Sequence, residues 1–123
     1  MCIRDRLADL TVPTIREAAD EAGRQKPRVV VGLPVLCTDN LDAGRDRAAK
    51  VFQIYGKLPS YRAMLDRESL GGPEDICIIG DEAEIRDQLR AAFDSGADDV
   101  IAVEFGSNQE EETRTRAALA SLL

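Results

Sequence analysis

A continuous apolar run from Arg28 to Cys37 is the feature that most constrains how this chain folds. The run, RVVVGLPVLC, is rich in β-branched residues and does not alternate with polar ones. Uninterrupted apolar runs of this length are typical of strands that are buried on both faces, as in parallel sheets. Pro34 cannot donate a hydrogen bond to a neighbouring strand, so it predicts either a local bulge or the end of pairing.

The residues on either side of this run predict alternating helices and strands. Helical patterns are expected over Thr11–Gly23, from the caps Thr38, Asp39 and Asn40 through Tyr55, from Pro59 to before Gly71, from the Asp81 cap to Ser95-Gly96, and from Gln109 or Glu110 to Leu123. A second strand is expected within 98–106, and Ile76–Ile79 is either a strand or an extended segment. This order predicts an α/β fold with a parallel sheet and right-handed crossovers. Because two or three strands are few for such a sheet, either they pair with a segment outside the chain or the sheet is unusually small.

The composition excludes several classes of function. Sixteen Lys and Arg against 23 Asp and Glu give a net charge of −7 over 123 residues, and no local run is basic. Nucleic acid and anionic membranes are therefore not expected as partners. The chain has no His, which excludes Ser-His-Asp and Cys-His catalysis and His-ligated metals. No metal is expected. Three cysteines without CxxC spacing, and no secretory signal pattern, indicate reduced thiols in a cytoplasmic protein.

The first six residues, MCIRDR, do not continue into the pattern that follows them. Translated back, they give ATG TGT ATA AGA GAC AG, which resembles the end of a transposase adapter used in sequencing libraries. We expect residues 1–6 to be translated adapter, with the true coding sequence starting near Leu7 inside a gene. The alternative is an ordinary N-terminus.

Three segments carry a resemblance to a known family. They are Arg28–Val35 leading into Thr38-Asp39, Tyr55–Glu68 followed by Gly72-Pro73, and Ile79–Glu82 with Ser95–Asp99 and Phe105-Gly106. Through them, the chain from Pro27 to Leu123 resembles the C-terminal end of the luciferase-like monooxygenases. The middle segment is the most specific and is similar to the branch that uses coenzyme F420.

The resemblance implies that residues 7–123 are the C-terminal fragment of a TIM (β/α)8 barrel of about 250 residues. Arg28–Cys37 would be the seventh strand and Val100–Phe105 the eighth. The parent would be an oxidoreductase that transfers hydride to, or oxygenates, an unknown small organic substrate. Its cofactor would be coenzyme F420 or, alternatively, FMN, bound mostly by residues upstream of this fragment. A homodimer is compatible with this resemblance for the full-length parent, and the isolated fragment is expected to be inactive.

Five residues are candidates for the substrate pocket, because the active face of a barrel lies at the carboxyl ends of its strands. Thr38 follows one strand, and Glu104 and Phe105 end the other, while Tyr55 and Tyr61 lie on an expected lid. Each also has a structural interpretation. Glu104 either takes part in proton transfer or pairs with an Arg, Thr38 either contacts ligand or caps a helix, and the aromatic rings either line the pocket or pack in the core.

A different class of function stays open beside the oxidoreductase. The chain would then be a self-standing, small acidic α/β module that binds a ligand or a partner without catalysis. Such a module is expected to unfold cooperatively as a monomer, whereas a fragment of a barrel is expected to expose apolar strand edges and to associate.

Overall fold

The apolar run forms the central strand of the sheet in a computed structural model, which describes residues 6–122. Strand β1 (Val30–Cys37) pairs in parallel with β2 (Ile78–Gly80) on one side and with β3 (Asp99–Glu104) on the other. The parallel α/β fold is thereby confirmed, and the short run before Gly80 is a strand. The assignment of residues 1–6 to an adapter falls outside the described residues, except for Arg6.

Five α-helices alternate with these strands in the described part of the chain. They are α1 (Val12–Glu21), α2 (Leu41–Val51), α3 (Pro59–Arg67), α4 (Glu82–Asp94) and α5 (Gln109–Ala120). A π-helical turn, Leu7–Thr11, leads into α1, so the helical region begins before the predicted Thr11. The helix that was expected to reach Tyr55 ends at Val51, where Phe52 leaves helical geometry and packs against Phe105.

The predicted capping box at the start of α4 is present. The Asp81 carboxylate accepts a hydrogen bond from the Glu84 N–H, and the Glu84 carboxylate accepts one from the Asp81 N–H, both at 2.9 Å. Gly80 leaves room for this exchange, because a Cβ there would lie 2.2 Å from the Glu84 carboxylate. The box satisfies N–H groups that a helix start leaves unpaired, which fixes the turn from β2 into α4.

Pro34 lies in the central strand without a bulge. The register of β1 with β3 runs unbroken from Val30 opposite Asp99 to Val35 opposite Glu104. The bulge and the end of pairing suggested by the sequence are therefore both wrong on this side. Thr38 donates its N–H to the Gly80 carbonyl on the β2 side, and backbone nitrogens two and four residues apart in a strand face the same side. The nitrogen of Pro34 therefore faces the β2 side, where pairing begins only at Val35, so the missing N–H removes no hydrogen bond between strands.

One face of the sheet is covered by helices along its length, and we call it the covered face. Alternate side chains of β1, among them Leu33, Val35 and Cys37, pack there against Ile85 of α4 and Ala118 of α5. Val35, Cys37 and Ile85 are completely buried. This face contains the largest cluster of buried apolar side chains in the described chain.

The opposite face is covered only at its carboxyl end. There α2 places Ala48 over a cluster that contains Leu36, Ile79 and Phe105. The rest of this face, which we call the open face, is formed by Val30, Gly32, Pro34, Ile101 and Val103. Three of its large side chains are about half exposed, at 51% for Val30, 59% for Ile101 and 47% for Val103.

Candidate functional site

An apolar cleft of about 390 Å³ lies between the open face and the segment that follows α2. We call it the aromatic cleft. It is lined by Val31, Gly32, Leu33, Pro34, Phe52, Tyr55, Tyr61, Met64, Pro73, Ile76 and Val103. Its volume lies within the range of about 300–1,000 Å³ that is usual for small-molecule sites. None of the lining residues carries a charge, so the cleft differs from the rest of a chain in which 32% of residues are charged.

A row of four aromatic rings connects the carboxyl edge of the sheet with this cleft. The ring of Phe105 lies 5.4 Å from that of Phe52, which lies 6.2 Å from Tyr55, and Tyr55 lies 5.0 Å from Tyr61. The first and last pairs are edge-to-face, an arrangement that adds about 0.5–1.5 kcal/mol per pair beyond area burial. The structure therefore brings together three of the five residues that the sequence suggested.

Phe52 lies between Phe105 and Tyr55 in this row. From the sequence it was predicted to lie on the apolar face of a helix and not in the site. The signal was present in the spacing, because Phe52 and Tyr55 are three residues apart and therefore share one side of a helical turn. The spacing did not predict that α2 ends at Val51. Beyond that end, Phe52 packs on the cluster at the sheet and Tyr55 lines the cleft.

The outer wall of the cleft is held by polar contacts away from its lining. Arg62 of α3 donates to the carbonyl oxygens of Leu70 at 3.1 Å and Gly71 at 3.3 Å. Asp75 accepts the Gly71 N–H at 2.8 Å and pairs with Arg45 of α2. These contacts connect the segment after α3 with both α3 and α2. They therefore restrain the region between α2 and the end of α3, which contains Tyr55 and Tyr61.

Three of the five predicted residues do not line the cleft. Phe105 is buried in the cluster beneath α2, where its ring packs against Phe52. Glu104 points toward the covered face, where its Oε1 accepts a hydrogen bond from Arg116 Nε at 2.9 Å. Pairing of Glu104 with an Arg, one of the interpretations from the sequence, is therefore present in the structure. Thr38 lies at the carboxyl edge, where its hydroxyl accepts the Asn40 N–H at 3.1 Å. The side chain that caps α2 is that of Asn40, which accepts the Ala43 N–H at 3.1 Å.

A cluster of three charged side chains joins the loop after β1 and the first residue of α4 to α5. Arg114 contacts Glu82 at 2.7 and 2.8 Å and Asp39 at 2.9 and 3.0 Å. Hydrogen bonds from Arg114 lower the pKa of Glu82 to about 2 and lower that of Asp39 as well. Each carboxylate thus has a partner within the chain. No local pattern in the sequence indicates this cluster, because Glu82 and Asp39 are 32 and 75 residues away from Arg114.

The two described cysteines have the character of core thiols. Cys37 is completely buried, and burial raises its pKa to about 11. Burial also raises the pKa of Cys77 to about 12, and its Sγ donates to the Pro73 carbonyl at 3.3 Å. Burial therefore holds both thiols in the protonated form at neutral pH, which disfavours nucleophilic attack. Cys2 lies outside the described residues.

Between residues 6 and 122, no three His, Cys, Asp or Glu side chains converge as a metal site. None of the helices described there is long and apolar enough to cross a bilayer. Comparisons with protein-family models, with curated proteins and with solved structures find no match for this chain. The resemblance to luciferase-like enzymes therefore stays a prediction from the residues.

Proposed function

We propose that the chain is the C-terminal part of a luciferase-like oxidoreductase barrel that uses coenzyme F420, or alternatively FMN. The parent enzyme transfers hydride to, or oxygenates, a small organic substrate in the cytoplasm, and the aromatic cleft lies at the substrate end of its site. The single observation that carries this proposal is the contrast between the two faces of the sheet. Both α4 and α5 pack on one face, whereas α2 covers only the carboxyl end of the other face, and the rest of that face is apolar and half exposed.

This contrast supports a barrel over a doubly wound sheet. In a doubly wound fold, helices cover both faces of the sheet. In a TIM barrel, helices form an outer ring and branched aliphatic side chains fill the interior. Val30 and Ile101 on the open face, outside the aromatic cleft, are branched aliphatic residues of this kind. The remaining strands of the barrel would cover them, which removes an exposed apolar surface that is unfavourable in water.

Neither the aromatic cleft nor the Arg114 cluster fits the phosphate groups of F420 or FMN. The aromatic cleft is lined by uncharged side chains, and Arg114, at the carboxyl edge of the sheet, is bonded to Glu82 and Asp39. Phosphate sites need backbone N–H groups at a helix start or cationic side chains. Under this proposal, the strands upstream supply the phosphate contacts and the catalytic groups, and the 123-residue chain by itself is inactive.

The DNA upstream of the Leu7 codon tests the proposal directly. We expect an intact genomic contig to continue in frame through further strand and helix units of a barrel. A genuine start codon with a ribosome-binding site directly before Met1 would refute the proposal.

The protein encoded by the longer frame provides the biochemical test. Titration monitored by F420 fluorescence is expected to show binding to the longer protein, with the 123-residue chain as the matched control that does not bind. Tight F420 binding by the short chain would contradict the assignment of the cofactor site to the missing strands.

A second candidate is the self-standing α/β module that binds a small ligand without catalysis. The observation in its favour is that the described residues form a core of their own, in which Val35, Cys37 and Ile85 are completely buried. Size-exclusion chromatography and calorimetry distinguish the two candidates. A monomer that unfolds in one cooperative transition supports the module, and association through the open face supports the fragment.

A further inference from the structure

We propose that the aromatic cleft binds a neutral, flat, apolar molecule of the aromatic class. The statement that this ligand is the substrate of an oxidoreductase rests on the function proposed above. The statement that the cleft binds such a molecule rests on the charge, shape and exposure of its lining.

The charge of the ligand follows from the lining. All lining residues are uncharged, and their polar side-chain groups are the hydroxyls of Tyr55 and Tyr61. An ion of either sign would lose its hydration in this cleft without gaining an opposite charge, which is strongly unfavourable. The chain also carries a net charge of −7, which adds a further penalty for anions. The ligand is therefore neutral.

The shape of the ligand follows from the floor and the wall. The floor is the strand segment around Gly32 and Pro34, and a Cβ built at Gly32 meets no atom within 4 Å. The opposite wall carries the rings of Tyr55 and Tyr61, which meet edge-to-face at 61°. A slot between a side-chain-free strand segment and aromatic rings suits a flat molecule, because rings stack in offset or edge-to-face contact.

The exposure of the tyrosines indicates that the cleft is incompletely filled by the protein itself. Tyr55 is 40% exposed and Tyr61 is 42% exposed, although both belong to a packed row of rings. Contiguous exposed apolar surface, such as these two neighbouring rings, is typical of sites that bind a ligand or a partner. A small aromatic molecule that fits a cleft of about 390 Å³ would cover both rings.

A matched pair of dyes tests the charge requirement on the 123-residue chain. N-phenylnaphthylamine is neutral, and anilinonaphthalene sulfonate has the same ring system with an added anionic group. We expect saturable binding of the neutral dye, measured by its fluorescence increase, and an affinity at least about tenfold weaker for the anionic dye. No saturable binding of the neutral dye, or equal affinities for the two dyes, would overturn the proposal.

Three variants test the location. A Cβ at Gly32 meets no atom within 4 Å, so Gly32→Leu extends a side chain into the cleft from its floor. This variant is expected to weaken binding of the neutral dye at least about tenfold with an unchanged circular dichroism spectrum. Tyr61→Ala is expected to weaken binding by removing part of the wall. Ile101→Thr is the control, because Ile101 lies on the same open face but does not line the cleft.

Unchanged affinity in Gly32→Leu would place the dye elsewhere, and an equal loss in Ile101→Thr would place it on the open face. Either result overturns the proposal. The upstream DNA result is independent of these measurements. A chain that starts its own gene and still binds the neutral dye would refute the barrel and keep the ligand assignment.

Discussion

The two faces of the same three-stranded sheet are built for different surroundings. On the covered face, Val35 and Cys37 of β1 are completely buried beneath α4 and α5. On the open face, Ile101 and Val30 are more than half exposed, although they belong to strands that also form the covered face. The fold of this chain therefore rests on one face, and the surface available to a ligand, or to further strands, lies on the other.

The difference shows that burial in this chain follows the helices and not the hydrophobicity of the strands. Two valines of the same strand, Val35 on the covered face and Val30 on the open face, have 0% and 51% exposure. The gain from removing an apolar side chain from water is proportional to the area removed. Substitutions of the same residue type on the two faces therefore measure how far the faces differ in solution.

The largest effect is expected from Ile85→Ala compared with Ile101→Ala. Ile85→Ala leaves a cavity under α4 and is expected to lower the free energy of unfolding by about 2–5 kcal/mol. Ile101→Ala, at an exposed position, is expected to change it by less than about 0.5 kcal/mol. Urea unfolding followed by circular dichroism measures both. Equal losses would mean that the open face is buried in solution, for example against a second copy.

The next effect concerns the place where α5 meets β1. The Thr115 hydroxyl is fully buried, accepts the Cys37 N–H at 3.0 Å and donates to the Glu111 carbonyl at 2.7 Å. Thr115→Val keeps the shape but leaves that N–H without an acceptor, and is expected to cost about 1–3 kcal/mol. Thr113→Val, at an exposed position of the same helix, is the control. Similar urea midpoints for the two variants would show that the hydroxyl is not needed.

A smaller effect distinguishes the open face from the carboxyl end of the same side of the sheet, which α2 covers. A Cβ at Gly44 of α2 would lie 2.7 Å from Ile79 and 3.3 Å from Leu36, whereas one at Gly32 meets nothing. Gly44→Ala is expected to destabilise by about 1 kcal/mol, since overpacking exceeds the gain in helix propensity. Gly32→Ala is expected to stabilise by about 0.4–1 kcal/mol, because it restricts the unfolded chain. Thermal melts of both variants test the difference in sign.

The smallest effect depends on pH and concerns Arg114. Since the folded pKa of Glu82 is about 2, below its ordinary value of 4.5, the ion pair stabilises the fold fully above pH 4.5. That stabilisation is lost as the pH falls toward about 2. The stability difference between the native chain and Arg114→Met is therefore expected to shrink over this range.

Urea midpoints across that pH range measure this difference, and the exposed Arg90→Met in α4 serves as the control. Added salt is expected to reduce the Arg114→Met effect, because exposed ion pairs are screened. A difference that grows on acidification would contradict the assignment.

The sequence was sufficient for most of the elements. The apolar run from Arg28 to Cys37 became β1, and the Asp81 and Glu84 pair marked the start of α4 correctly. These features are local: strand burial follows from residue type, and a capping box involves residues three apart. The interpretation of Pro34 failed because it depended on where β2 begins, which is a long-range property.

The site was predicted only in part, for a related reason. Tyr55, Tyr61 and Phe105 lie in one row of rings, whereas Glu104, which was grouped with them, faces α5. Alternation along a strand contained that information, because Glu104 and Phe105 are adjacent and must point to opposite faces. The Arg114 cluster had no local signal at all.

The hydroxyl of Thr115 has a consequence for how the molecule opens. β1 extends beyond the last paired residue of β3, Glu104 opposite Val35, so the Cys37 amide on that side is held by a helix instead of a strand. Its hydrogen can exchange with solvent only when α5 separates from the sheet. The exchange rate of this single amide therefore reports the undocking of the last helix, separately from the global unfolding that the Val35 amide would follow.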